Sequence, residues 1–260
     1  MLRHTAVVDR EAYLRRLGLH AAPAPDLDGL RRLQRAHLEA VPFENSAVLH
    51  DEPIVLEEAR LVRKVVDAGR GGFCFELNGA FAWLLAELGF DVALLPGRFW
   101  GDEGLGPVNE HLALRVRLGG EAWLVDVGAG YSFREPLRLA VGLEQDDPSG
   151  RFRLVAAVDD PASIDVEWRH RDGRWVPHYR FADRAVGLDA FRAVCEHLRT
   201  SADSPFTRGW ICARALPDGW ATLDGDHLVV TEGGERLDER VARPALTTAL
   251  ERWFGIVSAG

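Results

Sequence analysis

Cysteine is scarce in this 260-residue chain: Cys74, Cys195 and Cys212 form an odd set of three with no C-x-x-C pair. A disulfide framework or a structural zinc site would need more, so neither is expected and no metal ligand is assigned. Long apolar runs are also missing, and no uninterrupted stretch approaches the length that crosses a bilayer. The opening stretch, MLRHTAVVDREAYLRR, scatters charge throughout and lacks the apolar centre of a signal peptide. Blocks of basic residues are missing too. With 31 Lys and Arg against 40 Asp and Glu, the formal net charge is -9, a poor match for nucleic acid or an anionic membrane surface. Phosphates on a substrate would have to meet local basic groups. No internal repeat, low-complexity segment or flexible linker interrupts the chain. Together these absences predict a soluble protein of a reducing compartment, the cytoplasm, with no nucleic-acid or membrane partner.

What is present is enough apolar material for a sizeable core, at 47% of residues. The first third predicts helices. Asp26 to Ala40 sets Leu27, Leu30, Leu33, His37 and Leu38 near one stripe, with Asp26 or Asp28 as N-cap and Pro42 as the stop. A second helix spans Leu56 to Ala68 and ends at Gly69, and a third begins near Cys74 and runs to Gly89. From Asp91 the segments VALLPGRFW, HLALRVRL and AWLVDVGA are strand-like. Gly119-Gly120 predicts a two-residue hairpin turn between the last two, and Asp172-Gly173 predicts a type I′ turn in DVEWRHRDGRWVPHYRF. Strands at such short spacing imply a barrel or a compact antiparallel sheet. The last third mixes a helix from Gly187 to Leu198, a hairpin in HLVVTEGGERL and a closing amphipathic helix in ALTTALERWFGI.

The most informative stretch is Arg70-Gly71-Gly72-Phe73-Cys74-Phe75-Glu76-Leu77-Asn78. Two glycines permit a sharp turn and a close approach, and the helix that follows sets Cys74 at its N-terminus. Free N–H groups and the macrodipole there favour a thiolate and suit an oxyanion on a bound acyl carbonyl. Cys195 and Cys212 have no such setting and read as small buried hydrophobes.

A base and its orienter follow from hairpin arithmetic. If Leu118 faces Glu121 across Gly119-Gly120, then Ala113 faces Asp126 and His111 faces Gly128. His111 and Asp126 then project from one face on diagonal positions, about 7–8 Å apart at the backbone and within side-chain reach. Gly128 would leave the imidazole room. An Asp inside the apolar run WLVDVGAG needs a partner if it is ionised. A carboxylate that accepts from one imidazole nitrogen leaves the other free to take a thiol proton. Cys74, His111 and Asp126 therefore read as nucleophile, base and orienting residue.

Four segments of the chain resemble the arylamine N-acetyltransferases. LQRAHLEAVPFEN (Leu33 to Asn45) is similar to a segment ending in P-F-E-N, and RGGFCFELN (Arg70 to Asn78) to the R-G-G-[YF]-C-[FY]-E-x-N nucleophile motif. His111 with the LAL after it, and then WLVDVGAG, resemble the base strand and the V-D-V-G-F-G strand, while TSADSPFT (Thr200 to Thr207) resembles a loop near the coenzyme site. The resemblance implies an α+β fold with a cysteine-protease-like Cys-His-Asp core. An N-terminal helical bundle (1–90) would carry the nucleophile, a central antiparallel β-barrel (91–198) His111 and Asp126, and a C-terminal α/β lid (199–260) would follow. It implies a ping-pong reaction in which acetyl-CoA acylates Cys74 and an arylamine, hydrazine or arylhydroxylamine takes the acetyl group. Acetyl-CoA would be a co-substrate, with no metal and no tightly bound cofactor. Whether the protein is a monomer or a homodimer is left open.

Phe43, Phe73 and Ala129 are the candidate substrate-lining residues, although ordinary core packing accounts for Phe43 as well. Thr200, Ser201 and Ser204 are the candidate coenzyme contacts, although a polar turn around Pro205 explains them too. Glu44 and Arg70 are each awkward to bury alone, so a mutual ion pair is expected. Ala129 stands where the family carries an aromatic, which predicts a wider site, and Leu77 replaces a more polar residue. A wide site and Glu110 beside His111 would also suit a macrolactam-forming amide synthase fed by a carrier protein. A papain- or transglutaminase-like hydrolase shares the order Cys, His, Asp, and a non-enzymatic binding module would leave Asp126 without a reason.

Overall fold

The protein is described by a computed structural model over residues 9–257. Half of the stretch that argues against a signal peptide, residues 1–8, lies outside the described residues. The chain opens with helices α1 (Arg10–Arg16) and α2 (Leu27–Ala40), a two-residue strand β1 (Phe43–Glu44), and helices α3 (Ser46–Leu49), α4 (Glu58–Val66) and α5 (Cys74–Glu87). Asp26 caps α2 by accepting the Gly29 N–H at 2.8 Å. The helices differ in how they meet the core. α2 and α4 bury one stripe each, whereas α5 is apolar all round and is covered on nearly every side. That central position lets α5 present its first residue to the sheet beside it.

Strands follow: β2 (Asp91–Gly101), β3 (Gly104–Leu105), β4 (His111–Leu118), β5 (Glu121–Val125), β6 (Leu137–Arg138), β7 (Glu144–Asp147), β8 (Gly150–Ala156), β9 (Ser163–Arg169) and β10 (Trp175–Ala182). They form an antiparallel sheet in the order β6-β5-β4-β2-β10-β9-β8-β7, with β3 paired to β2. Its two ends meet through Gln145, whose amide donates to the Arg138 carbonyl and accepts the Arg138 N–H. The sheet thus curls into a nearly closed barrel.

Gly119 and Gly120 both take positive φ, 58° and 86°, as a type I′ turn requires. The register runs from Leu118↔Glu121 to Leu114↔Val125, as counted from the turn. The other hairpin differs from expectation. β9 and β10 pair, but the His170 N–H donates to the Arg174 carbonyl at 2.8 Å around a three-residue loop. Gly173 alone carries the left-handed conformation, at φ 85°, so the Asp-Gly pair belongs to a longer turn than type I′.

Helix α6 (Arg192–Thr200) leads to β11 (Ile211–Leu216), β12 (Gly219–Asp224), β13 (His227–Glu232), β14 (Glu235–Arg240) and the closing helix α7 (Arg243–Ala249). The second sheet has the order β1-β11-β12-β13-β14. Its first strand is the Phe43–Glu44 pair from the P-F-E-N segment, which had shown no strand signal. One large core joins the helices to one face of β4 and β5. A second fills the barrel interior, and a third lies between the C-terminal sheet and its closing helix.

Candidate active site

The nucleophile turn is built by contacts that explain its residue types. The β1 N–H of Glu44 donates to the Gly72 carbonyl at 2.9 Å, drawing the P-F-E-N segment against the two glycines. Glu76 folds back over Gly72 to accept the Phe73 N–H at 3.3 Å and Lys64 Nζ at 2.6 Å. A β-carbon on Gly72 would lie 2.5 Å from Glu76 Oε2. This one-sided cap, from Glu76 alone, starts α5 at Cys74.

The expected pair between Arg70 and Glu44 does not form. Arg70 binds Glu52 and, at 2.7 Å, the Ser46 hydroxyl, while Glu44 accepts the Ser46 N–H. The two residues meet through Ser46, because the buried Glu44 side chain turns toward the head of α3 instead of out to the guanidinium.

Cys74 is 4% exposed, and its sulfur donates to the Glu110 carbonyl at 3.6 Å. Burial pushes the thiol up; the backbone N–H groups of Leu112 and Phe75 oppose the shift and the Asp126 carboxylate adds to it. Burial thus opposes the thiolate that the head of the helix favours. With Glu110 and Leu112 as its neighbours, the sulfur lies against the backbone on both sides of His111. Cys195 and Cys212 are buried, unpaired thiols, Cys195 pushed up to about 12 by burial.

His111 and Asp126 share the inner face of the barrel. Nε2 of the fully buried imidazole lies 2.6 Å from Asp126 Oδ2. The other carboxylate oxygen accepts Asn78 Nδ2 and the Gly128 N–H, each at 2.8 Å. Burial acts to raise the Asp126 carboxyl, but His111, Asn78 and Gly128 outweigh it and hold it below its usual value. A carboxylate can only accept, so Nε2 carries the proton and donates. Nδ1 is then the acceptor nitrogen, and it is buried without a hydrogen-bond partner.

Gly128 does not make room for the imidazole, as the hairpin count had suggested. It makes room for the helix: a β-carbon there would lie 2.7 Å from Cys74 Cα and 2.8 Å from Asn78 Nδ2. The residue paired with His111 across the sheet is Gly97 of β2.

Three further residues build the site. Asn78, one turn beyond Cys74, is fully buried and ties α5 to both strands: besides Asp126, it donates to the Leu112 carbonyl at 2.6 Å and accepts the Val127 N–H at 2.9 Å. Its spacing from Cys74, on the same face of the helix, was the available signal. Phe99 and Tyr179 flank the His111 ring at centroid distances of 4.6 and 4.8 Å. They are partners across the β2–β10 ladder, a long-range pairing with no local trace.

Of the other candidates, Phe43 and Phe73 meet at Phe206, while Ala129 packs on the barrel core. Phe43 is half-buried, with its ring 6.1 Å from Phe206. Phe73 is fully buried and meets Phe75 and Phe206 edge-on, so it reaches that wall through Phe206. Ala129 is half-buried against the barrel core. In the 200–207 segment, Thr200 donates to the Glu196 carbonyl, Ser201 accepts the Asp203 N–H, and Ser204 accepts the Phe206 N–H. These hydroxyls serve their own turn first. Asn45 pins the segment by donating to the Phe206 and Gly209 carbonyls at 2.8 and 2.7 Å and accepting the Ile211 N–H at 2.8 Å. Among the described residues, no three His, Cys, Asp or Glu side chains gather as metal ligands, and no helix is long and apolar enough to cross a membrane.

The family described as N-acetyltransferase matches residues 26–259. The arylamine N-acetyltransferase / N-hydroxyarylamine O-acetyltransferase of Salmonella typhimurium is 33% identical over 251 residues, covering 94% of this chain and 88% of that one. The proansamycin X synthase of Amycolatopsis mediterranei is 34% identical over 241 residues, 88% of this chain and 89% of that one. Among solved structures, the Mycobacterium marinum arylamine N-acetyltransferase in complex with CoA superposes with a TM-score of 0.87 at 32% identity, covering 95% of this chain and 93% of that one. Agreement of this extent, in sequence and in fold, makes the chain an acyltransferase that belongs to the arylamine N-acetyltransferase family.

Proposed function

We propose that the chain transfers an acetyl group from acetyl-CoA to an arylamine, hydrazine or arylhydroxylamine through a thioester on Cys74. The observation that carries this reading is the buried, unpartnered Nδ1 of His111, on a ring anchored by Asp126, with the sulfur against the backbone at either side of the same residue. Nδ1 takes the thiol proton as the sulfur turns from the Glu110 carbonyl and attacks the thioester carbonyl of acetyl-CoA. The carbon–sulfur bond to CoA breaks, and the imidazolium returns the proton to the leaving CoA thiolate. An amine then attacks the acetyl-cysteine. Its proton passes through Nδ1 back to the Cys74 sulfur as the amide is released. Asp126 keeps the ring in one tautomer throughout and stabilises the imidazolium.

Phe43, with Phe206 and Phe73 behind it, and Ala129 would line the acceptor site. Thr200, Ser201 and Ser204 would meet the coenzyme with the hydroxyl capacity their own turn leaves free. The three unpaired cysteines fit a cytoplasmic setting. Intact-protein mass spectrometry after exposure to acetyl-CoA tests the reading: wild type gains one acetyl group and Cys74→Ala gains none.

The likeness to the proansamycin X synthase, together with Ala129, favours a second reading, an amide synthase supplied by a carrier protein. Absence of acylation by acetyl-CoA, with acylation by a carrier-bound thioester, would select it.

A further inference from the structure

Lysine occurs once in this chain, at Lys64, and the other thirty of its 31 basic residues are arginine. The exception lies beneath the nucleophile turn. Lys64, on the last turn of α4, reaches Glu76, on the first turn of α5, with Nζ 2.6 Å from Oε1. The Lys64 side chain is 17% exposed and that of Glu76 4%, so the pair is largely out of water. The second carboxylate oxygen accepts the Phe73 N–H at 3.3 Å and lies 2.5 Å from where a β-carbon on Gly72 would stand. A desolvated pair of this kind is held together by the cost of losing either partner, because the charge left behind is buried alone.

Each element around the pair contributes a charge or a titratable group. Burial pushes the Glu76 carboxyl up, and the Glu44 carboxylate on β1 pushes the same way, while Lys64 and the Phe73 N–H pull it down. On α6 the Cys195 thiol feels both Glu76 and Lys64, but burial pushes it up to about 12 and it stays uncharged at neutral pH. Beyond α3 the Glu52 carboxylate also feels Lys64, and Arg70 binds it directly. Among the described residues, Lys64 is thus the one cation paired with Glu76.

We propose that Lys64 is a positioning residue for the nucleophile: it keeps Glu76 folded over Gly72 as an ionised cap, and that cap fixes the first turn of α5 and with it the Cys74 sulfur. The role rests on the reading of Cys74 as the nucleophile. The path from the ammonium to the sulfur is short. Glu76 holds the Phe73 N–H through its side chain, and its own N–H donates to the Phe73 carbonyl at 3.0 Å, so both polar groups of the residue before Cys74 are tied to it. Without Lys64 the buried carboxylate has no counter-charge. It must then take up a proton or turn out to water, and either change weakens its hold on the Phe73 N–H. Lysine suits the place, since it brings a compact charge on a slim stem, whereas a guanidinium brings a broad planar fork of five donors.

The test follows alkylation of Cys74 by iodoacetamide, read by peptide mass spectrometry, in wild type, Lys64→Met, Glu76→Gln and the double variant. Lys64→Met should react at least about tenfold more slowly than wild type at about pH 8. The deficit relative to wild type should shrink toward about pH 6, because the Glu76 carboxyl, raised further by loss of its partner, is neutral there and is buried at less cost. Added to Glu76→Gln, the same substitution should change the rate by less than about twofold, since the charge it serves is gone. A wild-type rate in Lys64→Met, a deficit that does not change with pH, or an equal loss in both backgrounds overturns the role. Circular dichroism reports folding: a folded double variant beside an unfolded Lys64→Met supports the role, and an unfolded double variant overturns it. Acetyl-CoA separates this inference from the reaction. The expected alkylation pattern without any acetylation of wild type leaves the positioning role standing and overturns the acetyl transfer. Wild-type Cys74 that is alkylated no faster than Cys195 and Cys212 overturns the nucleophile reading and the role with it.

Discussion

Asn78→Ala is the substitution from which the geometry predicts most. The side chain is fully buried and makes three hydrogen bonds, to the Leu112 carbonyl, the Asp126 carboxylate and the Val127 N–H. Alanine removes all three. The Val127 N–H is orphaned, and the Leu112 carbonyl has nothing to gain from its ladder neighbour, since that is Pro96, which has no N–H. Each buried orphan costs about 1–3 kcal/mol, so two of them and a weakened carboxylate bond sum to about 3–5 kcal/mol. For a chain of this size, about 2–4 °C of melting temperature accompanies each kcal/mol, giving a fall of roughly 6–20 °C.

Calorimetric melting of wild type and variant reads this directly. Asn78→Asp sharpens the test. It keeps an acceptor for Val127 but loses both donated bonds, and it sets a second carboxylate against Asp126. The new carboxyl is raised by its neighbour, so it destabilises wherever it is ionised, and the deficit should shrink as pH falls through its raised value. A melting point for Asn78→Ala within about 2 °C of wild type would refute the reasoning, because it would mean that the helix and the two strands hold together without this side chain.

The remaining predictions concern the thiol, the close packing beneath it and the neighbouring loop. His111→Gln should slow alkylation of Cys74 by iodoacetamide at pH 7 at least about a hundredfold, since burial keeps the thiol up and no base remains. The residual rate should climb with pH as direct ionisation takes over, and a wild-type rate in this variant would refute the base assignment. Asp126→Asn should cut acetyl transfer by about 10³–10⁴-fold with little change in fold, as measured by steady-state kinetics, because an amide no longer specifies which nitrogen carries the proton. Gly128→Ala should destabilise by about 1–3 kcal/mol in a denaturant titration and slow acylation of Cys74, since its methyl would meet Cys74 Cα at 2.7 Å. Asn45→Ala should release the segment around Phe206 and raise KM for the acyl donor more than it lowers kcat.

Local chemistry carried the sequence reading furthest where a turn set the count. Gly119-Gly120 can form only a narrow class of turn, and from that turn His111 and Asp126 fall on one face with no knowledge of the rest of the chain. The reading failed wherever distant segments meet. Arg70 found Glu52 instead of Glu44 because the path of α3 decides which carboxylate is in reach. The Phe43–Glu44 strand joins Ile211–Leu216, and two residues have no periodicity to detect. Phe99 and Tyr179 enclose the imidazole only because β2 and β10 are neighbours.

The choice of imidazole nitrogen shows how the two kinds of information combine. Hairpin counting assigns a carboxylate to the ring but not to a particular nitrogen. In the folded chain Asp126 takes Nε2, the nitrogen farther from the backbone. Nδ1, nearer the main chain, is buried without a partner, while the backbone of Glu110 and Leu112 on either side of His111 meets the sulfur. Helix α5 brings the head that carries the sulfur against this strand, and it packs that closely only because residue 128 has no side chain. A glycine with an unremarkable backbone angle thereby sets how near α5 comes to the strand that carries Asp126, and neither strand alternation nor helix periodicity could have revealed that.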